Sequence, residues 1–238
     1  MKALIDNINI NYEMIGYGKP IVFLHGWEAN HNTFNKLIEK LSEGYSFYLI
    51  DLPGFGDTVI DSSLTVYEVC DLIHKFIQKL NIINPVIIGH SYGGRIGIIY
   101  ASKYKIKGLI LLASHGVKLK LKGIKRIKQG IYKKFNKLGI KIKMGSKDYI
   151  NSKGYKRKML VDTVNQDLTQ EMNKIDIPVL MLYGTNDNET PISTVGNYIN
   201  KNIRNSVLIK IEDAGHFLYL EKPLIISLII NSFLEGIE

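Results

Sequence analysis

Short apolar runs and segments with helical periodicity alternate along most of this chain. The first twenty residues alternate apolar and polar positions around Asp6-Asn7 and end in glycine and proline, a pattern typical of a two-stranded hairpin. Short continuous apolar runs follow, each bounded by turn residues, as expected of buried parallel strands. With the hairpin they predict about eight strands, and they span residues 21–24, 46–50, 86–88, 108–112, 179–183 and 207–211.

Segments with helical periodicity lie between these runs. In residues 65–80 the apolar side chains recur at helical spacing behind a capping box formed by Thr65 and Glu68. An initial hairpin followed by alternating strands and helices predicts an α/β fold, with a mostly parallel eight-stranded sheet covered by helices on both faces. Further helix candidates are residues 32–42, 91–104, 191–202 and 222–235.

Residues 115–172 interrupt the alternation. Their apolar positions recur at helical spacing, lysines fill the other positions, and glycines divide the segment into short pieces. We therefore predict a small helical insertion at 115–172, within a core formed by residues 1–114 and 173–238. The apolar stripe of this insertion consists of Ile124, Ile127, Ile131, Phe135 and Leu138.

Positive charge is concentrated in the same insertion. The chain has a net charge of +9, but residues 116–158 hold 16 Lys and Arg against Asp148 alone and so contribute +15. This charge is either a solvated face or a surface that attracts an acidic partner, such as an acyl carrier protein, an anionic acyl substrate or anionic lipid. Nucleic-acid binding is not expected, because the basic run contains few aromatic residues and no recognisable module.

Length and composition are typical of one soluble α/β domain. The 238 residues are 45% apolar and 22% charged, and Cys70 is the single cysteine, so no internal disulfide can form. A charge at Asp6 precedes any signal-peptide core, and no apolar segment is long enough to span a bilayer. We expect a cytoplasmic protein, and one without a metal or cofactor, because its histidines and acids lack ligand spacing.

The strand at 86–88 leads into Gly89-His90-Ser91-Tyr92-Gly93, which matches G-x-S-x-G between a predicted strand and a predicted helix. In that position a strained turn lifts the serine hydroxyl above the sheet, and the glycines let the helix approach the strand closely. The helix N-terminus offers amide N–H groups to a developing oxyanion. A serine between glycines can also be an ordinary tight turn, but this placement favours a nucleophile.

A serine nucleophile needs a histidine base and an acid that orients the histidine. Both are expected after later strands, with the acid first. Asp187 follows the strand at 179–183, and His216 is the only histidine beyond that acid. Glu189 is an alternative to Asp187, and His115, at the end of a core strand, is a candidate for the pocket lining.

Together these motifs resemble the α/β-hydrolase superfamily over essentially the whole chain, in particular its carboxylesterases and carrier-protein methyl esterases. The resemblance implies Ser91 as nucleophile, His216 as general base and Asp187 as the orienting acid. It also implies an oxyanion hole from the backbone N–H groups of Trp27 and Tyr92, and a cap that roofs the active site. The motifs are His25-Gly26-Trp27, Asp-Leu-Pro-Gly-Phe-Gly at 51–56, the Ser91 turn, Gly184-x-x-Asp187-x-x-x-Pro191 and Gly215-His216.

The resulting hypothesis is hydrolysis of a carboxylic ester or thioester through an acyl-enzyme intermediate. Gly93-Gly94-Arg95 is similar to the menaquinone-pathway lyase branch, so a lyase or C–C bond hydrolase is an alternative. A non-catalytic ligand receptor and a peripheral membrane protein that docks through the basic insertion are further alternatives. Serine at the turn, where haloalkane dehalogenases and epoxide hydrolases have aspartate, argues against those two branches.

Overall fold

The computed structural model describes residues 1–118 and 151–237, and its centre is an eight-stranded sheet. The strand order is β1-β2-β4-β3-β5-β6-β7-β8; β2 is antiparallel to β1 and β4, and all other neighbours are parallel. The predicted fold class is therefore confirmed. The strands are β1 (Lys2–Ile5), β2 (Ile8–Gly16), β3 (Lys19–Leu24), β4 (Tyr45–Ile50), β5 (Val86–His90), β6 (Gly108–Leu112), β7 (Val179–Gly184) and β8 (Ser206–Ile211).

The first two strands form the predicted hairpin. Ile5 pairs with Ile8, and the two residues between them, Asp6 and Asn7, both have left-handed backbone conformations, with φ of 43° and 67°. Asp and Asn tolerate this conformation better than other non-glycine residues, and two such residues in succession match the right-handed twist of a hairpin.

Helices cover both faces of the sheet. Along β3, Val22 and Leu24 pack into one apolar cluster and Ile21 and Phe23 into the other, and none of the four is exposed. Within the described ranges no helix has the length and apolar character needed to cross a bilayer. The helices are α1 (Asn35–Ile38), α2 (Val66–Lys79), α3 (Tyr92–Lys103), α4 (Gly154–Asn165), α5 (Thr169–Met172), α6 (Asn197–Asn202), α7 (Leu218–Glu221) and α8 (Pro223–Gly236).

Two predicted helices differ from their expected form. The segment predicted as one helix over residues 32–42 is a 3₁₀ turn at His31–Phe34 followed by the short α1. Its buried residues are Phe34, Leu37 and Ile38, at i, i+3 and i+4, so two turns suffice to bury them. The segment predicted over 191–202 begins with a single π-helical turn at Ile192–Gly196 before α6.

Helices α4 and α5 lie in the described part of the predicted insertion, and polar contacts join them to the rest of the chain. The Tyr67 hydroxyl on α2 donates a hydrogen bond to Glu171 on α5 at 2.7 Å. Lys156 on α4 donates to Glu28, in the loop after β3, at 3.0 Å. The apolar stripe from Ile124 to Leu138 lies outside the described residues, so the domain boundaries at 115–172 stay a prediction.

Candidate active site

The turn between β5 and α3 holds Ser91 in a strained conformation. Its φ of 48° and ψ of −105° lie in a region that residues with a side chain rarely occupy. The Ser91 amide donates a hydrogen bond to the Leu112 carbonyl at 3.0 Å, which ties the turn to the end of β6. Such strain persists only where the surrounding structure enforces it, and it marks Ser91 as a candidate functional residue.

The two flanking glycines are required by the close approach of backbone segments. A Cβ atom on Gly93 would lie 2.0 Å from the Leu24 carbonyl oxygen, and one on Gly89 would lie 2.6 Å from the Gly93 carbonyl oxygen. Backbone atoms cannot move aside as a flexible side chain can, so no other residue fits at either position. The spacing of the G-x-S-x-G motif thus follows from the packing of α3 against β3 and β5.

Asp187, in the loop after β7, holds the ring of His216. His216 Nδ1 lies 2.8 Å from Asp187 Oδ2, and the amides of Glu189 and Thr190 donate to Oδ1 at 2.8 and 3.0 Å. Burial opposes ionisation of Asp187, but these hydrogen bonds and that of the Thr190 hydroxyl outweigh burial and lower its pKa to about 2. Because an ionised carboxylate only accepts, His216 carries its proton on Nδ1, and neutral Nε2 is left as a base.

The alternative acid, Glu189, lies on the other side of the same ring. Its Oε2 atom is 3.6 Å from His216 Nε2, and its side chain is 67% exposed. Asp187, in contrast, is buried and contacts Nδ1. A buried acid at Nδ1 fixes the ring and its tautomer, whereas an exposed acid at Nε2 lies beside the nitrogen that must exchange protons.

The sequence-predicted site residues surround one cavity of about 510 Å³, with Asp187 behind His216. Helix α4 also lines this cavity. Among residues 1–118 and 151–237 no group of three His, Cys, Asp or Glu side chains could hold a metal ion. The lining includes Trp27, Ser91, Tyr92, Arg95, His115, Lys118, Leu160, Thr163, Val164, Glu189, Thr190 and His216.

Two buried histidines hold the loops around the cavity. The Nε2–H of His90 donates to the His216 carbonyl oxygen at 3.0 Å, and burial lowers the pKa of His90 to about 3. His25 accepts from the Leu52 amide through Nε2 at 3.0 Å, so its Nδ1–H donates to the Gly26 carbonyl oxygen at 2.7 Å. Burial lowers the pKa of His25 to about 4. Both rings are therefore neutral, and both connect loops of the site.

Arg95 also lines the cavity, and its sequence position had not indicated a role in the site. It is only 3% exposed, and its Nη2 lies 2.9 Å from Nδ1 of His115. Burial lowers the pKa of Arg95 to about 10, so it stays charged at neutral pH. Burial and the charge of Arg95 lower the pKa of His115 to about 4. The sequence contained one indication of this position. Arg95 follows Ser91 by four residues on a predicted helix, and residues four apart lie on the same helix face.

Sequence comparison agrees with this architecture. A family model described as the alpha/beta hydrolase fold matches residues 19–135 and 133–223. The chain belongs to the α/β-hydrolase fold family. The matched ranges include the Ser91 turn, Asp187 and His216, and they also extend across the segment that the structure does not describe.

Relatives with curated descriptions cover nearly the full chain. The chain is 27% identical over 264 residues to the AB hydrolase superfamily protein YisY of Bacillus subtilis, covering 94% of this chain and 95% of that protein. It is 27% identical over 259 residues to a pimeloyl-[acyl-carrier protein] methyl ester esterase of Wigglesworthia glossinidia brevipalpis, covering 94% and 97%. A bromoperoxidase structure from Bacillus anthracis superposes with a TM-score of 0.81 at 21% identity, covering 99% and 100%, and shows the shared fold alone.

Proposed function

We propose that this α/β hydrolase is a serine esterase that cleaves a carboxylic ester or thioester through an acyl-enzyme intermediate. The observation that carries the proposal is the contact between His216 Nδ1 and the ionised Asp187, made by a histidine that lines the same cavity as the strained Ser91. This arrangement supplies a nucleophile, a base and an acid in the roles that acyl transfer requires. The methyl ester esterases among the relatives support the same reaction class.

In the proposed acylation step, Ser91 Oγ attacks the acyl carbonyl while His216 Nε2 removes the hydroxyl proton. The imidazolium that forms is stabilised by Asp187, which stays ionised. His216 then gives the proton to the leaving alcohol or thiol as the carbonyl re-forms. In deacylation a water molecule loses a proton to Nε2 and attacks the acyl-enzyme. As the acyl–Oγ bond breaks, the His216 imidazolium returns the proton to Ser91 Oγ, which releases the acid and the free hydroxyl.

The backbone N–H groups of Trp27 and Tyr92 are proposed to bind the oxyanion. Tyr92 is the first residue of α3, and the first N–H groups of a helix have no partner within the helix. The positive end of the helix dipole adds to their attraction for negative charge. Trp27 and Tyr92 line the cavity together, with ring centroids 5.4 Å apart.

We further propose that residues 115–172 are a cap on the core formed by 1–114 and 173–238, and that the protein acts in the cytoplasm. The basic insertion suits an acidic acyl carrier protein that presents the ester. Several relatives are named for esterases of a pimeloyl group carried on such a protein. A carrier-bound substrate is therefore the partner that we test first.

The decisive experiment compares Ser91→Ala with the wild type on a panel of neutral model esters and an acyl-carrier-linked ester. Loss of the nucleophile is expected to lower kcat/KM about 10⁴- to 10⁶-fold. Ser102→Ala, on the same helix with its hydroxyl bonded to the Ile99 carbonyl, should leave activity unchanged. An acyl adduct on Ser91 detected by mass spectrometry would exclude the lyase alternative. Full activity in Ser91→Ala would contradict the proposal.

The same panel tests the carrier protein when it is run at two ionic strengths. Attraction between a basic cap and an acidic carrier is screened by salt, so kcat/KM for the carrier-linked ester should fall more steeply than for a small neutral ester. Equal salt responses would reject the partner and leave the esterase proposal intact.

A further inference from the structure

The cavity contains a buried positive charge close to the proposed nucleophile. The Arg95 amide donates to the Ser91 carbonyl at 3.4 Å, one helical turn along α3. Residues four apart lie on one face of a helix, and their Cα atoms are separated by about 6 Å along its axis. Ser91 and Arg95 therefore face the same cavity at a separation that a short acyl chain can span.

The guanidinium of Arg95 has neutral hydrogen-bond partners in the part of the chain that the structure describes. Nη2 donates to His115 Nδ1 at 2.9 Å, and Nη1 donates to the Gln166 carbonyl oxygen at 3.5 Å. Asp167 is the carboxylate whose charge acts on Arg95, but its oxygens already accept the amides of Thr169 at 3.0 Å and of Lys118 at 3.4 Å. By sequence, residues 119–150 contain one acid against eleven Lys and Arg.

A buried cation that has no carboxylate hydrogen-bonded to it among the described residues is costly, because burial removes its hydration. The neutral acceptors and the charge of Asp167 compensate only in part. A carboxylate that enters the cavity would supply the missing charge and accept the paired N–H groups of the guanidinium fork. The Arg95 environment is thus suited to an anionic group of a ligand.

The residues around Arg95 add further hydrogen-bond donors. Because a guanidinium only donates, His115 Nδ1 accepts and the neutral ring carries its proton on Nε2. The Tyr92 hydroxyl and the Trp27 indole N–H, on two residues that line the cavity, are buried and have no partner among the described residues. The wall of the cavity therefore offers donors to a ligand rich in acceptors.

We propose that Arg95 and His115 form an anion subsite, and that the enzyme selects esters that carry a second carboxylate a few carbon atoms from the scissile bond. This substrate class rests on the proposed esterase function. Among the described residues, two other charged side chains line the cavity: Glu189 lies beside His216 Nε2, and Lys118 is exposed. Neither is paired with Arg95, so the subsite is a separate part of the cavity from the proposed triad.

The test uses pairs of esters in which a methyl ketone replaces the carboxylate. Monomethyl glutarate is paired with methyl 5-oxohexanoate, with the charge on the acyl side. In the second pair, O-acetyl-4-hydroxybutyrate and 5-acetoxypentan-2-one, the charge is on the alcohol side. In at least one pair, Arg95→Met should lower the charged-to-neutral ratio of kcat/KM about 10- to 100-fold, the range of a charge-assisted hydrogen bond. An unchanged ratio in both pairs overturns the proposal.

A matched variant separates the subsite from the general charge of the cavity. Lys118→Met removes the same charge from an exposed position of the same lining and should change the ratio less than threefold, in a salt-dependent way. If Lys118→Met lowers the ratio as much as Arg95→Met, net charge selects the substrate, and the subsite is wrong.

A wild-type measurement covers the case in which Arg95→Met fails to fold. Glutarate should inhibit hydrolysis of a neutral ester at least tenfold more strongly than 5-oxohexanoate, which has one carboxylate fewer. Equal inhibition by the two acids overturns the subsite.

Binding to Ser91→Ala, measured by calorimetry, separates this inference from the esterase proposal. Preferential binding of monomethyl glutarate over its ketone analogue, lost in Ser91→Ala/Arg95→Met, supports the subsite even if no ester is turned over. Equal binding of the two compounds overturns the subsite even if the enzyme proves to be an esterase.

Discussion

Two histidines of the same cavity have opposite partners at the same ring nitrogen. His216 Nδ1 lies 2.8 Å from a carboxylate oxygen of Asp187, and His115 Nδ1 lies 2.9 Å from a guanidinium nitrogen of Arg95. The carboxylate can only accept, so His216 carries its proton on Nδ1 and presents a basic Nε2. The guanidinium can only donate, so His115 accepts at Nδ1 and presents an N–H at Nε2.

The charge of the partner decides what each ring can do. Asp187 stabilises a protonated His216, which is the species that a general base must become. Arg95 and burial disfavour a protonated His115 and hold its pKa near 4, so this ring stays a neutral donor at physiological pH. We infer that one imidazole is suited to proton transfer and the other to ligand binding, although both come from strand-end loops of one sheet.

The largest expected effect in this comparison follows from changing the contact between His216 and Asp187. Asp187→Asn replaces an acceptor with a group that can donate to Nδ1, which favours the tautomer with the proton on Nε2. The nucleophile would then have no base, and kcat should fall about 10³- to 10⁴-fold with the fold intact. Steady-state kinetics on a neutral ester, with circular dichroism as a folding check, measures this.

Glu189→Gln is the matched control for that variant. It also converts a carboxylate near His216 into an amide, but on the exposed side of the ring and at 3.6 Å from Nε2. Its effect on kcat should stay within about fivefold, as expected of a solvated charge. If Glu189→Gln is the more damaging substitution, Glu189 and not Asp187 is the functional acid.

The next largest effect concerns the contact between His115 and Arg95, which the pH dependence of folding stability tests. In the unfolded chain a histidine binds a proton as pH falls below about 6.5, whereas folded His115 binds one only near pH 4. Between these values the proton favours the unfolded state, so stability is lost as pH falls from about 6.5 to about 4 and the loss then levels off. His115 alone is expected to contribute about 3 kcal/mol to this loss, roughly a hundredfold in the unfolding equilibrium.

His115→Asn removes that titration while its side-chain oxygen can still accept from Arg95. Urea unfolding at pH 7 and pH 4 should show a smaller acid-induced loss in the variant, and the buried His25 and His90 contribute to the loss that is left. Identical losses in the variant and the wild type would mean that His115 binds protons equally in both states, against the contact with Arg95.

Most of the fold could be predicted from the sequence because its signals are local. Buried parallel strands are continuous apolar runs, and Thr65 and Glu68 form the capping box that begins α2. The order Ser91, Asp187, His216 was also readable, since each residue follows a recognisable strand. The contact between Asp187 and His216 then results from the alignment of strand ends at one edge of a parallel sheet.

The proposed anion subsite could not be predicted in the same way, because its evidence is which groups contact the Arg95 side chain in the folded structure. A sequence shows that Arg95 follows Ser91 by one turn, but it does not show that the guanidinium is buried against His115 and Gln166.

The length of the short helix α1 was likewise not predictable from the sequence. Periodicity alone extended it to residue 42, whereas burial of three side chains set its actual length.

The smallest expected effect concerns the hydrogen bond that holds Asp187, the acid that contacts His216. The buried Thr190 hydroxyl donates to Asp187 Oδ2 at 2.5 Å, the same oxygen that contacts His216. Thr190→Val keeps the shape and the amide bond to Oδ1 but loses this donor, so the pKa of Asp187 should rise and its orientation should loosen. We expect kcat to fall about three- to tenfold with KM little changed, because the lost hydrogen bond holds Asp187 and not the substrate.

Thr190→Ser should restore kcat, because it returns the hydroxyl. Thr194→Val, whose hydroxyl donates only to the Pro191 carbonyl in the described structure, should match the wild type. A purely structural role for Thr190 would lower stability without changing kcat, and a rise in KM alone would place Thr190 in substrate binding instead. If Thr190→Val lowers kcat and Thr190→Ser does not, the Thr190 hydroxyl is a positioning group for Asp187. Thr190 would then support the acid of the proposed triad.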